Sequence, residues 1–137
     1  MERPIIVVDA DEDQSQELCD VLERDSYRTI ALHSLGNLEE KIQETTCRVV
    51  ILDLDTLPVD NRFITHLRRE NPKLPIIGLS SRPFHPDLEE AMSSHICACL
   101  RKPPDLDELI YCIKSFCNNG LSQRTNLKKE EKPDDAE

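Results

Sequence analysis

Tryptophan is absent, tyrosine occurs only twice, and glycine only three times in 137 residues. A chain so poor in flat aromatic surface has little to stack on an isoalloxazine or similar ring. Nor does any glycine- or serine-rich loop follow the first apolar segment. That place is held by Asp9-Ala10-Asp11-Glu12-Asp13, which repels a phosphate, so a bound nucleotide or flavin cofactor is not expected. Positive charge is also scarce: 17 Lys and Arg stand against 27 Asp and Glu, for a formal charge of −10. Nucleic-acid backbones need a basic footprint, so direct nucleic-acid binding is excluded as an expectation. No apolar stretch approaches the ~20 residues required to span a bilayer, and no leader pattern opens the chain. A cytoplasmic location is expected.

Six cysteines are present, but no C-x-x-C pair; Cys97 and Cys99 are separated by one residue. Each lies in an apolar periodic segment, where cysteine behaves as a small buried hydrophobe more often than as a ligand. The four histidines share no motif, and Arg68-Arg69 reads as a solvated helix face.

What is present is an alternation of short apolar runs and helical periodicity. Strands are expected at Pro4 to Asp9, Tyr27 to Leu32, Arg48 to Asp53, Pro75 to Ser80 and Ile96 to Leu100. Helices are expected from Asp13 to Asp25, from a Ser34 cap to Glu44, from Asp60 to Glu70, from Pro86 onward, and from Asp105 to Phe116. Strand and helix in strict succession imply a doubly wound five-stranded parallel sheet covered by helices on both faces, three layers in all. The near-continuous apolar character of the strands agrees, because such strands are buried on both sides. Residues 1–117 form one domain in this reading. The polar segment 118–137 is too poor in apolar residues to join the core and is expected to be disordered.

Open sheets of this kind build sites where strands end. Asp9 ends the first strand, Asp53 the third, Ser80 the fourth, and Lys102 follows the fifth. Two acidic strand ends facing a lysine suit an aspartate that carries a phosphoryl group beside a divalent cation. No other pairing of nucleophile and general base presents itself, so turnover on a small substrate is not expected.

These residues carry a resemblance. Val7-Val8-Asp9, Val50-Ile51-Leu52-Asp53-Leu54, Pro75-Ile76-Ile77-Gly78-Leu79-Ser80-Ser81 and Leu100-Arg101-Lys102-Pro103, in that order, are similar to the receiver domain of two-component response regulators. The resemblance spans residues 4 to about 117 and implies the flavodoxin-like, CheY-like (βα)5 fold. It implies that Asp53 accepts a phosphoryl group from a histidine kinase or phosphotransfer protein. It further implies that Lys102 and Ser80 contact that group and that Lys102–Pro103 is cis. Mg2+ would be held by Asp9, Asp53 and the backbone carbonyl of Asp55. An output protein would dock on the face formed by the fourth helix, fifth strand and last helix, with homodimerisation left open.

The chain also departs from the family. Ala10 replaces the second of two adjacent acids, which weakens the expected Mg2+ site; Asp11 or Glu12 could substitute in part, since Asp11 would share a face with Asp9 if the strand continued. Pro58 stands one position late, and Asn61 occupies a position where glycine is common and a left-handed backbone is tolerated. Cys99 replaces the aromatic switch residue, so a serine-to-aromatic toggle cannot run in its usual form. The alternative reading is a module of the same fold that binds partners without phosphorylation.

Overall fold

The computed structural model describes residues 3–82 and 95–119. Five strands, β1 (Ile5–Val8), β2 (Thr29–Leu32), β3 (Val49–Asp53), β4 (Ile76–Ser80) and β5 (Ala98–Arg101), pair in the order β2-β1-β3-β4-β5. Every pairing is parallel. The expected α/β class and sheet are therefore present. The helix expected from Pro86, and the docking face it would help form, lie outside the described residues, as does segment 120–137.

Burial explains the composition of the central strands. All residues of β1, β3 and β4 are buried, and alternate side chains feed two cores. Ile6, Val8, Val50 and Leu52 pack on one side with Leu38 and Ile42 of α2 (Leu38–Thr45) and Ile64 and Leu67 of α3 (Asn61–Glu70). Ile5, Val7, Val49 and Ile51 pack on the other with Cys19 and Leu22 of α1 (Glu12–Arg24) and Leu109 and Ile113 of α4 (Leu106–Asn119). A fully buried isoleucine or leucine is worth about 1.5–3 kcal/mol relative to exposure. A one-residue slip would exchange the two sets, so register is tightly specified.

Several local expectations are corrected. Helix α2 begins at Leu38, with Asn37 at its cap and no side-chain capping bond, rather than at Ser34; Gly36 falls in the intervening turn. Asn61 takes no left-handed backbone, since Ser26 and Thr46 are the non-glycine residues with positive φ among those described. It is instead the first residue of α3, whose cap is Asp60, accepting from the Phe63 amide at 2.9 Å. The last helix continues through Asn119, three residues past its expected end at Phe116.

Arg68 is half-buried rather than solvated. Its Nη1 lies 2.6 Å from the Leu74 carbonyl oxygen and 3.1 Å from that of Pro72, and its Nη2 donates to the His95 carbonyl at 2.7 Å. The guanidinium fork thus ties α3 to the segments that enter β4 and β5. Cys99 is exposed rather than buried, whereas Cys19, Cys47 and Cys112 are interior.

Candidate functional site

Strands β1 and β3 are neighbours, with Val8 opposite Leu52, so Asp9 and Asp53 leave the sheet side by side. Both are almost inaccessible, at 3% and 1% exposure. Buried carboxylates need partners, and each oxygen has one. Asp53 Oδ1 accepts from Lys102 Nζ at 2.6 Å. Asp53 Oδ2 accepts from the Thr56 amide at 3.0 Å and the Thr56 hydroxyl at 2.6 Å. Asp9 Oδ1 accepts from the Asp11 amide at 2.9 Å, and Asp9 Oδ2 from the Gln14 side-chain amide.

Lys102 reaches this pair across the end of β4, which lies between β3 and β5. Its ammonium also lies 3.1 Å from Asp55 Oδ2 and 3.2 Å from Gln14 Oε1. The Lys102–Pro103 peptide bond is cis, as expected. Ser80, 3% exposed at the end of β4, points its hydroxyl at Asp55 Oδ1, 2.9 Å away. Ser81 donates to Asp55 Oδ2 from its amide (2.8 Å) and hydroxyl (2.9 Å). The structure therefore brings Asp9, Asp53, Ser80 and Lys102 to one edge, with Asp55 among them.

Asp11 is elsewhere. Strand β1 stops at Val8, and the chain turns so that Asp11 becomes the N-cap of α1, its carboxylate accepting from the Gln14 amide at 3.0 Å. The shared face that would have let it assist Asp9 requires a strand that does not continue. Its contribution is to the helix: a capping oxygen satisfies an otherwise orphaned N–H and is worth about 1 kcal/mol.

The electrostatics follow from these contacts. Burial opposes ionisation of Asp55, but the bonds from Ser81, Ser80 and Lys102 outweigh it and hold the carboxyl well below the usual range. For Lys102 burial acts to lower the value, and the bonds and charges of Asp53 and Asp55 overcome it, so the ammonium is stabilised. The Cys99 thiol, exposed at its surface, is pushed up by partial desolvation and by the charge of Asp55, which disfavours the thiolate.

Three participants were invisible in the sequence pattern: Thr56, Gln14 and the side chain of Asp55. The available signal was spacing. Thr56 follows Asp53 by three residues, within reach of a turn that folds back on a strand-end carboxylate, and Gln14 sits in the first turn of the helix leaving β1.

Mg2+ takes hard oxygen ligands, commonly one or two carboxylates completed by waters and phosphate oxygens. Asp9, Asp53 and the Asp55 carbonyl fit that requirement. Ala10 offers no third carboxylate, and among the described residues no group of three His, Cys, Asp or Glu assembles as a metal cage. A cavity of about 280 Å3 adjoins the site, lined by Asp9, Gln14 and Lys102 and floored by Leu18, Leu79 and Leu109. The larger cavity, about 590 Å3, opens at the opposite edge of the sheet and has no part in this chemistry.

Solved structures share this architecture. A receiver domain protein from Clostridium thermocellum is 21% identical and superposes with a TM-score of 0.75 over 85% of this chain and 95% of its own. A CheY-like receiver from Methanospirillum hungatei is 16% identical, with a TM-score of 0.76 over 87% and 96%. A response regulator from Burkholderia pseudomallei, solved with a phosphorylated aspartic acid, calcium ion and citrate, is 17% identical, with a TM-score of 0.70 over 94% and 76%. No curated protein matched the chain by sequence. The response regulator receiver domain pattern matches residues 5–114, and with the sheet order and strand-end residues agreeing, the chain belongs to that family of two-component signalling domains.

Proposed function

We propose that Asp53 accepts a phosphoryl group from a phosphohistidine on a sensor kinase or phosphotransfer protein, and that the domain signals by docking an output protein. The observation that carries this reading is the buried Asp53 carboxylate with Lys102 Nζ 2.6 Å from its Oδ1. One carboxylate oxygen forms the new O–P bond; the P–N bond of the donor breaks, and its electron pair returns to the imidazole nitrogen. Lys102 offsets charge on the phosphoryl oxygens as a point charge, and the Ser80 hydroxyl is a donor within the same cluster. Mg2+, when bound by Asp9, Asp53 and the Asp55 carbonyl, neutralises further charge in a reaction governed by positioning and electrostatics. The role is that of a switch, not of an enzyme with turnover. Support for the chemistry comes from the Burkholderia pseudomallei protein, whose structure contains a phosphorylated aspartic acid and a divalent cation.

Intact mass after incubation with acetyl phosphate and Mg2+, compared with Asp53→Asn, tests the reading. One added phosphoryl group on the wild-type chain alone is expected. No gain, even with a kinase donor at high Mg2+, would replace it with phosphorylation-independent docking.

A further inference from the structure

The Thr56 hydroxyl lies where two carboxylates converge. Its oxygen is 2.6 Å from Asp53 Oδ2 and 3.1 Å from Asp9 Oδ1, and it accepts the Ala10 amide at 3.1 Å. A hydroxyl has a single proton. Donated to Asp53, the closer partner, it leaves the contact with Asp9 as oxygen facing oxygen. Two like-charged groups nearly shut off from water therefore compete for one proton, which only one of them can receive at a time. The amide of Ala10, the residue without an acidic side chain, fills the accepting side of the hydroxyl.

We propose that Thr56 is an internal substitute for the divalent cation: its hydroxyl bridges Asp9 and Asp53 in the unphosphorylated pocket and must give way before a cation can bind both. A cation held by Asp9 and Asp53 would compete with the Thr56 hydroxyl for the carboxylate oxygens that it now contacts. Thr56 itself is exposed, so its side chain can turn outward without disturbing the core. Asp9 keeps the Asp11 amide and the Gln14 side chain, and Asp53 keeps Lys102 and the Thr56 amide, while the hydroxyl is away. The pocket thus holds together without metal, and cation affinity is set by a competition inside the protein. Thr56 is a positioning residue in this scheme. The inference rests on the cation-assisted reading above, but its test involves no phosphoryl transfer.

Mn2+ binding followed by water-proton relaxation, and thermal unfolding in chelator and in excess Mg2+, are the measurements. Thr56→Val keeps the shape and removes the bridge. It is expected to bind Mn2+ about tenfold more tightly, the scale of one hydrogen bond to a charged group. It should melt lower than wild type in chelator and gain more from Mg2+, while Thr56→Ser behaves as wild type. A purely structural Thr56 would lower both melts equally. Equal or weaker Mn2+ binding by a folded Thr56→Val protein overturns the inference alone; no binding by either protein overturns the cation reading with it. Should the variant not fold, the wild-type Ala10 amide decides. Its hydrogen exchange must accelerate at saturating Mg2+ as its acceptor departs, and an unchanged rate overturns the proposal.

Discussion

The two edges of the sheet each hold an inward cation, and they use it in different ways. At the carboxyl edge Lys102 reaches two carboxylates and a side-chain amide. At the amino edge Arg68 directs its guanidinium to the backbone carbonyls of Pro72, Leu74 and His95. The large cleft at that edge continues the contrast: Arg3, Arg48 and Lys73 line it, and none of its lining residues is acidic. A planar fork fixed on dipoles locks geometry, whereas a compact ammonium among carboxylates makes a balance of charges that a phosphoryl group or cation can shift. One edge is built to hold still and the other to respond.

Removing each cation should separate these roles. Lys102→Met leaves Asp53 nearly buried with its Oδ1 partner gone, a situation that costs about 3–5 kcal/mol. Denaturant unfolding should show that loss, and added Mg2+ should recover part of it by supplying charge at the same edge. Arg68→Ala removes several charge-assisted bonds at a half-buried site and is expected to cost about 2–3 kcal/mol, with no recovery by Mg2+. Arg68→Lys should restore less than half, because one ammonium cannot reproduce the fork. Recovery of the Arg68 variants by Mg2+ would break the comparison.

The smallest effect is the dependence of stability on pH. Asp55 titrates below its ordinary value of about 3.9 in the folded state, so its contribution is complete above that value and is lost as acid passes through the lowered one. Lys102 titrates above its ordinary value of about 10.4, so its contribution is complete below that and is lost as alkali passes through the raised one. Stability followed by denaturant midpoint should therefore fall at both extremes. Asp55→Asn should flatten the acid limb, and an unaltered acid limb would remove Asp55 from the balance.

Much of this was legible in the residues. Short β-branched runs identified five strands, because burial on both faces leaves no room for polar alternation, and their order placed Asp9, Asp53, Ser80 and Lys102 at one edge. The misses have a common cause. Ser34 looked like a cap, Asp11 like a reserve ligand, and Arg68 like a solvated residue, each judged from its neighbours in the chain. Their actual partners are set by where the chain turns after β1, where α2 begins, and how close the loop before β5 comes to α3. Thr56 was missed for the same reason: its link to Asp9 spans 47 residues.

The sequence by itself determined the succession of strands and helices, the α/β class and the residue types delivered to the carboxyl edge, since hydrophobic period and strand-end position are local properties. Tertiary structure alone decided which oxygen meets which proton. Hydrogen bonds act over a few tenths of an ångström, and only the packed register of β1, β3, β4 and β5 sets distances that finely.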